Sequence, residues 1–152
     1  MNLPQTAPAT ETTVLAFDFG TRRIGVAVGN TITRAAQPLT TIDEPRVDLR
    51  FAAIGALLHA WTPGILVVGV PVHSDGTPHA MTARAQRFAR QLAGRYNKPV
   101  AEVDERYTTE MARQLITAKP ARTRTRASDA TRDSVAAQLI LQGYFDEHRT
   151  AG

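Results

Sequence analysis

At 152 residues the chain has the length of one ordinary domain, enough to bury roughly 70% of its unfolded surface without a disulfide or metal staple. Its content, 43% hydrophobic and 21% charged, is that of a soluble globule, and with zero cysteines it has neither a disulfide framework nor a thiolate zinc site. Lys plus Arg number 18 against 14 acids, a net charge of +4, and all the cations except Lys98 and Lys119 are Arg, whose planar fork grips phosphate with two hydrogen bonds.

Residues 1–13 (MNLPQTAPATETT) carry no basic start and no apolar stretch, so they read as a flexible polar tail without a secretory signal. Val14 to Phe17 is a continuous apolar run ending at Asp18, the pattern of a strand buried on both faces. Gly20 and Thr21 turn the chain into a second strand, Ile24 to Val28, and so short a link predicts an antiparallel hairpin. A weaker third strand is expected from Ala35 to Ile42, pushed to an edge or a bulge by Pro38. Val47, Phe51, Ile54, Leu58 and Trp61 then recur on one helical face, stopped by Pro63 and Gly64.

Ile65 to Val70 reads as a buried strand, and even the longer run to Val72 falls far short of the roughly 20 residues of a membrane span. After the loop PVHSDGTPH, Met81, Ala85, Phe88 and Leu92 stripe a second helix, with Arg84, Arg87 and Arg90 on its other side. Pro99 to Val103 is a short strand delivering Asp104 and Glu105. A helix capped by Thr108 or Thr109 would bury Met111, Ala112, Leu115 and Ile116. The Arg/Thr-rich segment from Ala121 to Ser128 is expected to be an extended arm, and a last helix to run from about Asp129 or Asp133 to Phe145. A meander followed by strand–helix alternation predicts an α/β fold, a mixed sheet with helices on both faces. One domain over residues 14–147 is expected, with 148–152 as a short tail.

Three acids stand where plain packing would not put them. Asp18 ends a buried run, where an unpaired carboxylate is costly; it can cap the Gly20 turn or serve a site. Glu105 leaves another strand end, where acids are often simply solvated. Asp133, near the expected start of the last helix, can be a plain cap. Were the strands of Asp18 and Glu105 neighbours, with the last helix across them, all three would converge. Hard oxygen donors without Cys or a His pair suit Mg²⁺ or Mn²⁺, and two such ions can hold a scissile phosphate and activate a water. Arg22, Arg23, Arg106, Arg122, Arg124, Arg126 and Arg132 are the cations best placed to hold nucleic acid nearby. His73 and His79 flank a loop on the same side, but His59, His73, His79 and His148 have no metal-ligand spacing. There is no Walker A loop and no GxGxxG.

Four motifs, AFDFGTRRIGVAVGN, VVGVPVHSDGTPHAMTARAQRFA, VDERYTTEMA and RDSVAAQLILQGYF, together resemble the YqgF family of pre-16S rRNA nuclease and Holliday-junction-resolvase-like proteins, in order, over about Val14 to Phe145. The resemblance implies a ribonuclease H-like fold with a mixed five-stranded sheet. It also implies a cytoplasmic nuclease that processes the 5′ end of precursor 16S rRNA at a metal–carboxylate site. The family's acids fall on Asp18, Glu105 and Asp133, as catalytic residues and as ligands of Mg²⁺ or Mn²⁺, two ions per site. Asp104, Asp75 and His73 are secondary candidates. The chain departs from the family's pattern at His73 and Ser74.

Rival readings remain. A four-way-junction resolvase shares the chemistry but would be a two-fold dimer, whereas an rRNA nuclease can act as a monomer or weak homodimer. A non-catalytic RNA-binding assembly factor would keep the fold without needing the acids. The string Asp18-Phe19-Gly20-Thr21 also fits the phosphate loop of the sugar-kinase and actin ATPases, which need two domains where this chain has one.

Overall fold

The computed structural model describes residues 11–73, 75–104 and 126–147. Strands β1 (Thr13–Asp18), β2 (Arg23–Asn30) and β3 (Ala36–Asp43) come first, followed by helix α1 (Val47–Trp61) and strand β4 (Ile65–Val70). Helix α2 (Thr82–Tyr96), strand β5 (Val100–Asp104) and helix α3 (Arg126–Glu147) complete the described fold. The expected helix after Thr108, together with Glu105, Arg106, Arg122 and Arg124, lies outside the described residues, as do 1–10 and 148–152.

The sheet order is β3-β2-β1-β4-β5. β1, β2 and β3 form the antiparallel meander, and β1, β4 and β5 run parallel. Pro38 has the effect expected of it: β3 is an edge strand, and its register against β2 slips between Val26 and Ala27, leaving Leu39 as the extra residue. Strand adjacency does not bring the acids together. The strands carrying Asp18 and Asp104 are not neighbours, because β4 lies between them. β4 is the most uniformly apolar strand, and the centre of a parallel sheet covered on both faces is where such a strand loses the most water-exposed surface.

Side-chain alternation divides the core in two. Leu15, Phe17, Ile24, Val26, Leu66 and Val68 face α1 and α2, where Phe51, Ile54, Leu58, Ala85, Phe88 and Leu92 meet them. Val14, Ala16, Ala27, Val67 and Val103 face α3 and its Ala137, Ile140, Leu141 and Phe145. The α1 stripe is buried only in its middle: Val47 and Trp61 at its ends are 56% and 40% exposed, and Arg50 is buried beside Phe51. The helix ends one residue before the expected Pro63 stop, with Thr62 in the left-handed region and its N–H bonded to the Leu58 carbonyl at 2.8 Å.

Phe88 is the hub of the first core. Its ring lies 4.8 Å from that of Phe19, 5.9 Å from Phe17 edge-on and 6.1 Å from Phe51, contacts that add to its area burial. Phe88→Ala should therefore cost about 3–5 kcal/mol of stability, read as a lowered midpoint in urea with the slope unchanged.

Candidate active site

The β1–β2 hairpin sets the frame. Val14 and Ala16 point to the α3 side, so Asp18, two further along the same alternation, has its Cβ on that side too. Asp18 pairs directly across the ladder with Gly25, and the Cα atoms of such pairs lie about 4.5–5.5 Å apart. Gly25 is where α3 crosses the sheet. A Cβ built on it would stand 1.9 Å from the backbone oxygen of Asp133 and 2.4 Å from its carbonyl carbon. Only a residue without a side chain lets the helix come this close, and that contact brings Asp133 to the face and the level of Asp18.

The polar ties that hold α3 in place are not visible as sequence motifs. Thr41 donates from Oγ1 to the Ala130 carbonyl at 2.5 Å. Gln138 donates to the Ala36 carbonyl at 3.1 Å, while Gln142 accepts from the Ala36 N–H at 3.3 Å and donates to the Arg34 carbonyl at 3.1 Å. Through them the helix is fastened to the edge strand β3 at Ala36 and Thr41 and to Arg34 just before it.

Asp133 differs from expectation in its local setting. α3 begins at Arg126, so Asp133 lies two turns inside it and does not cap its start. Ala127 and Ala130 are strong helix formers and extend the helix N-terminally; for the same reason residues 126–128 are helical, not part of an extended arm. The Asp133 carboxylate instead accepts a hydrogen bond from Arg23 Nε at 2.7 Å, with side-chain exposures of 23% and 19% for Arg and Asp. Arg23→Gln would remove one partner of this part-buried pair. It should cost about 1.5–3 kcal/mol, the range for hydrogen bonds to charged groups, measured by urea denaturation.

The other sequence candidates are dispersed. Arg22 pairs with Asp43 at 3.1 Å and is largely exposed. Arg132 is half-buried on α3 next to Asp133, and Asp104 is exposed at the end of β5. Alternation sends Ala101 and Val103 of β5 to the α3 side, so Asp104 points the other way from Asp18. Asp75 builds its own loop. Its Oδ1 accepts from the Thr77 N–H at 2.9 Å and hydroxyl at 2.7 Å, and these two bonds hold its carboxyl below the usual range. His73 closes the same loop through its N–H to the Thr77 carbonyl, and its ring lies 5.1 Å from that of His79. Among the described residues no three acids or histidines lie close enough together to hold a metal. Glu105, the third acid singled out by sequence, is the residue immediately after β5, outside that set.

A family model described as RuvX, Holliday junction resolvase, matches residues 12–147. The chain belongs to the RuvX family. RuvX relatives include a protein of Nitrosomonas europaea, named "Putative pre-16S rRNA nuclease", 50% identical over 149 residues that cover 95% of this chain and 96% of that one. A protein of the same name from Burkholderia vietnamiensis is 49% identical over 141 residues, 93% of each chain. The RuvX fold is also that of RuvC: the Thermus thermophilus RuvC structure in complex with a Holliday junction substrate aligns with a TM-score of 0.57 at 16% identity, over 93% of this chain and 96% of that one. The yeast mitochondrial Holliday junction resolvase Ydc2 aligns with a TM-score of 0.52 at 11% identity, over 87% and 77%. These likenesses bear out the ribonuclease H-like sheet expected from the motifs, and the family match bears out their resemblance to YqgF. Among the described residues no helix is long and apolar enough to cross a membrane.

Proposed function

We propose that this RuvX chain is a cytoplasmic, divalent-metal-dependent phosphodiester hydrolase that processes the 5′ end of precursor 16S rRNA. The observation that carries the reading is the crossing at Gly25, which sets Asp133 beside the strand end of Asp18 on one face of the sheet. Asp133 is paired with Arg23 on one side, and two acids brought to one face leave a hard-oxygen donor set that suits Mg²⁺ or Mn²⁺. Asp18, Asp133 and Glu105, the residue that follows β5 in the sequence, would hold the metal, two ions in the full site. When bound, such ions activate a water and stabilise the leaving oxygen of a phosphodiester.

The chain's own residues supply the rest. Arg23 orients the Asp133 carboxylate. Arg22, Arg106 and Arg132, with the Arg122, Arg124 and Arg126 group, hold the phosphates of the substrate strand, and His73 borders it from the loop after β4. The names of the relatives favour pre-rRNA as substrate, and we take a monomer or weak homodimer as the working form. The family description and the likeness to RuvC support one second reading, cleavage of a four-way DNA junction by a two-fold dimer.

One substrate panel separates them. The protein is incubated with Mg²⁺ and a precursor-16S 5′ leader, a generic single-stranded RNA or a four-way DNA junction. Discrete cleavage of the leader is expected. Symmetric cutting of the junction with an inert leader would establish the resolvase, and folded protein that binds RNA but cuts nothing would leave an assembly factor.

A further inference from the structure

On the face of the sheet opposite Asp133, α1 and α2 enclose a cleft of about 350 Å³, at the small end of ligand sites. Its walls are of two kinds. Phe19 and Val47 are among the apolar residues that line it, and Arg50, Arg84, Arg87 and Gln91 are the polar ones. No acid lines it.

The three arginines converge from two helices. Arg84 and Arg87 are one turn apart on α2, both exposed and without an ion pair among the described residues. Arg50 comes from α1 and is only 6% exposed. Its guanidinium lies 5.2 Å from the Phe19 ring centroid and donates from Nη2 to the Gly20 carbonyl, while its Nε is buried with no hydrogen-bond partner. The acid nearest in effect is Glu44, which lies outside the cleft and partly offsets the lowering of the Arg50 pKa by burial. A buried cation without a paired carboxylate, with two further cations at the same opening, is costly unless an anion joins them.

The cleft also belongs to the catalytic end of the molecule. Phe19 directly follows Asp18, and the Gly20 carbonyl that Arg50 holds is in the same turn.

We propose that the α1–α2 cleft is a second nucleic-acid site, taking one unpaired nucleotide of the substrate strand with its phosphate on Arg50, Arg84 and Arg87 and its base along Phe19 and Val47. The volume admits one nucleotide unit and excludes a duplex, so the site selects single-stranded or frayed substrate. The reading rests on the nucleic-acid hydrolase proposed above, and its test is independent of cleavage.

The probe is a fluorescein-labelled 12-nucleotide single-stranded RNA, bound by wild-type protein in EDTA and followed by anisotropy over a range of salt. Arg84→Ala/Arg87→Ala should weaken binding about tenfold and lower the log–log salt slope by about 1.4, two contacts at roughly 0.7 each. Arg90→Ala is the matched control. Arg90 is exposed on the same helix and does not line the cleft, so its slope should stay within about half a unit of wild type. A duplex of the same length should be indifferent to the double substitution. Equal slopes for the double variant and for wild type would overturn the cleft as a nucleic-acid site, and so would a loss for Arg90→Ala equal to that of the double variant. If the wild type cuts no substrate in the panel yet RNA binding depends on Arg84 and Arg87, the cleft stands and the hydrolase reading falls. Cleavage with no such dependence would overturn the cleft and leave the hydrolase reading standing.

Discussion

Asp18→Asn should lower the single-turnover rate of leader cleavage by about a thousandfold or more while leaving the fold intact. The substitution keeps the side-chain volume and removes one ligand charge, and the loss of a group that stabilises developing charge in a reacting phosphodiester is of that order. The fold should tolerate it because Asp18 is half-buried at the last position of β1, beyond the fully buried run Val14–Phe17. The melting temperature in EDTA should therefore stay close to that of wild type. Cleavage at the wild-type rate by this variant would place the chemistry elsewhere.

Gly25→Ala should have the largest effect on stability for the smallest change in chemistry. The added methyl would meet backbone on three sides of one contact: the Asp133 oxygen at 1.9 Å, its carbonyl carbon at 2.4 Å and the Ser134 nitrogen at 3.1 Å. A flexible side chain could swing away, but a helix backbone cannot, so α3 must lift off β2. Overpacking of this kind costs about 1–3 kcal/mol and more where no side chain can yield. Here the lifted helix also carries Ala137, Ile140, Leu141 and Phe145 of the second core. We expect a loss of at least about 3 kcal/mol in urea denaturation, with cleavage falling further than instability alone explains, because Asp133 moves away from Asp18. Gly94→Ala is the contrasting case. Gly94 lies within α2 and a Cβ there meets nothing within 4 Å, so that variant should gain about 0.5–1 kcal/mol. An equal loss in both variants would show that the Gly25 crossing is not special.

The residues that made the sheet legible are those whose physics is local. The run Val14–Phe17 is buried on both faces because its neighbours β2 and β4 and both helical layers surround it. Pro38 marked the edge because it lacks a ladder donor. The stripe of Phe51, Ile54 and Leu58 was visible in its spacing, but the exposed Val47 and Trp61 at its ends were not, since periodicity gives a face and not how far the core extends along it. The proposed site was legible as a set of acids and illegible as an arrangement. That β4 separates β1 from β5 and that Gly25 admits the helix are both consequences of long-range packing. Nothing in the string IGVAV distinguishes a contact glycine from a plain strand glycine. Arg50 was likewise hidden, because an amphipathic reading of α1 sends every arginine to solvent.

The most direct test of the three-acid site is the binding of Mn²⁺, followed by the loss of the free-ion electron paramagnetic resonance signal in the absence of nucleic acid. Wild-type protein should show saturable binding. Asp18→Asn, Glu105→Gln and Asp133→Asn should each weaken it at least tenfold, while Asp75→Asn and Asp104→Asn, whose carboxylates are committed to a loop and turned to the opposite side of the sheet, should bind as wild type does. Loss of binding in Asp104→Asn with Glu105→Gln unaffected would contradict the assignment of the third acid, and unchanged binding in Asp18→Asn and Asp133→Asn together would contradict the site itself.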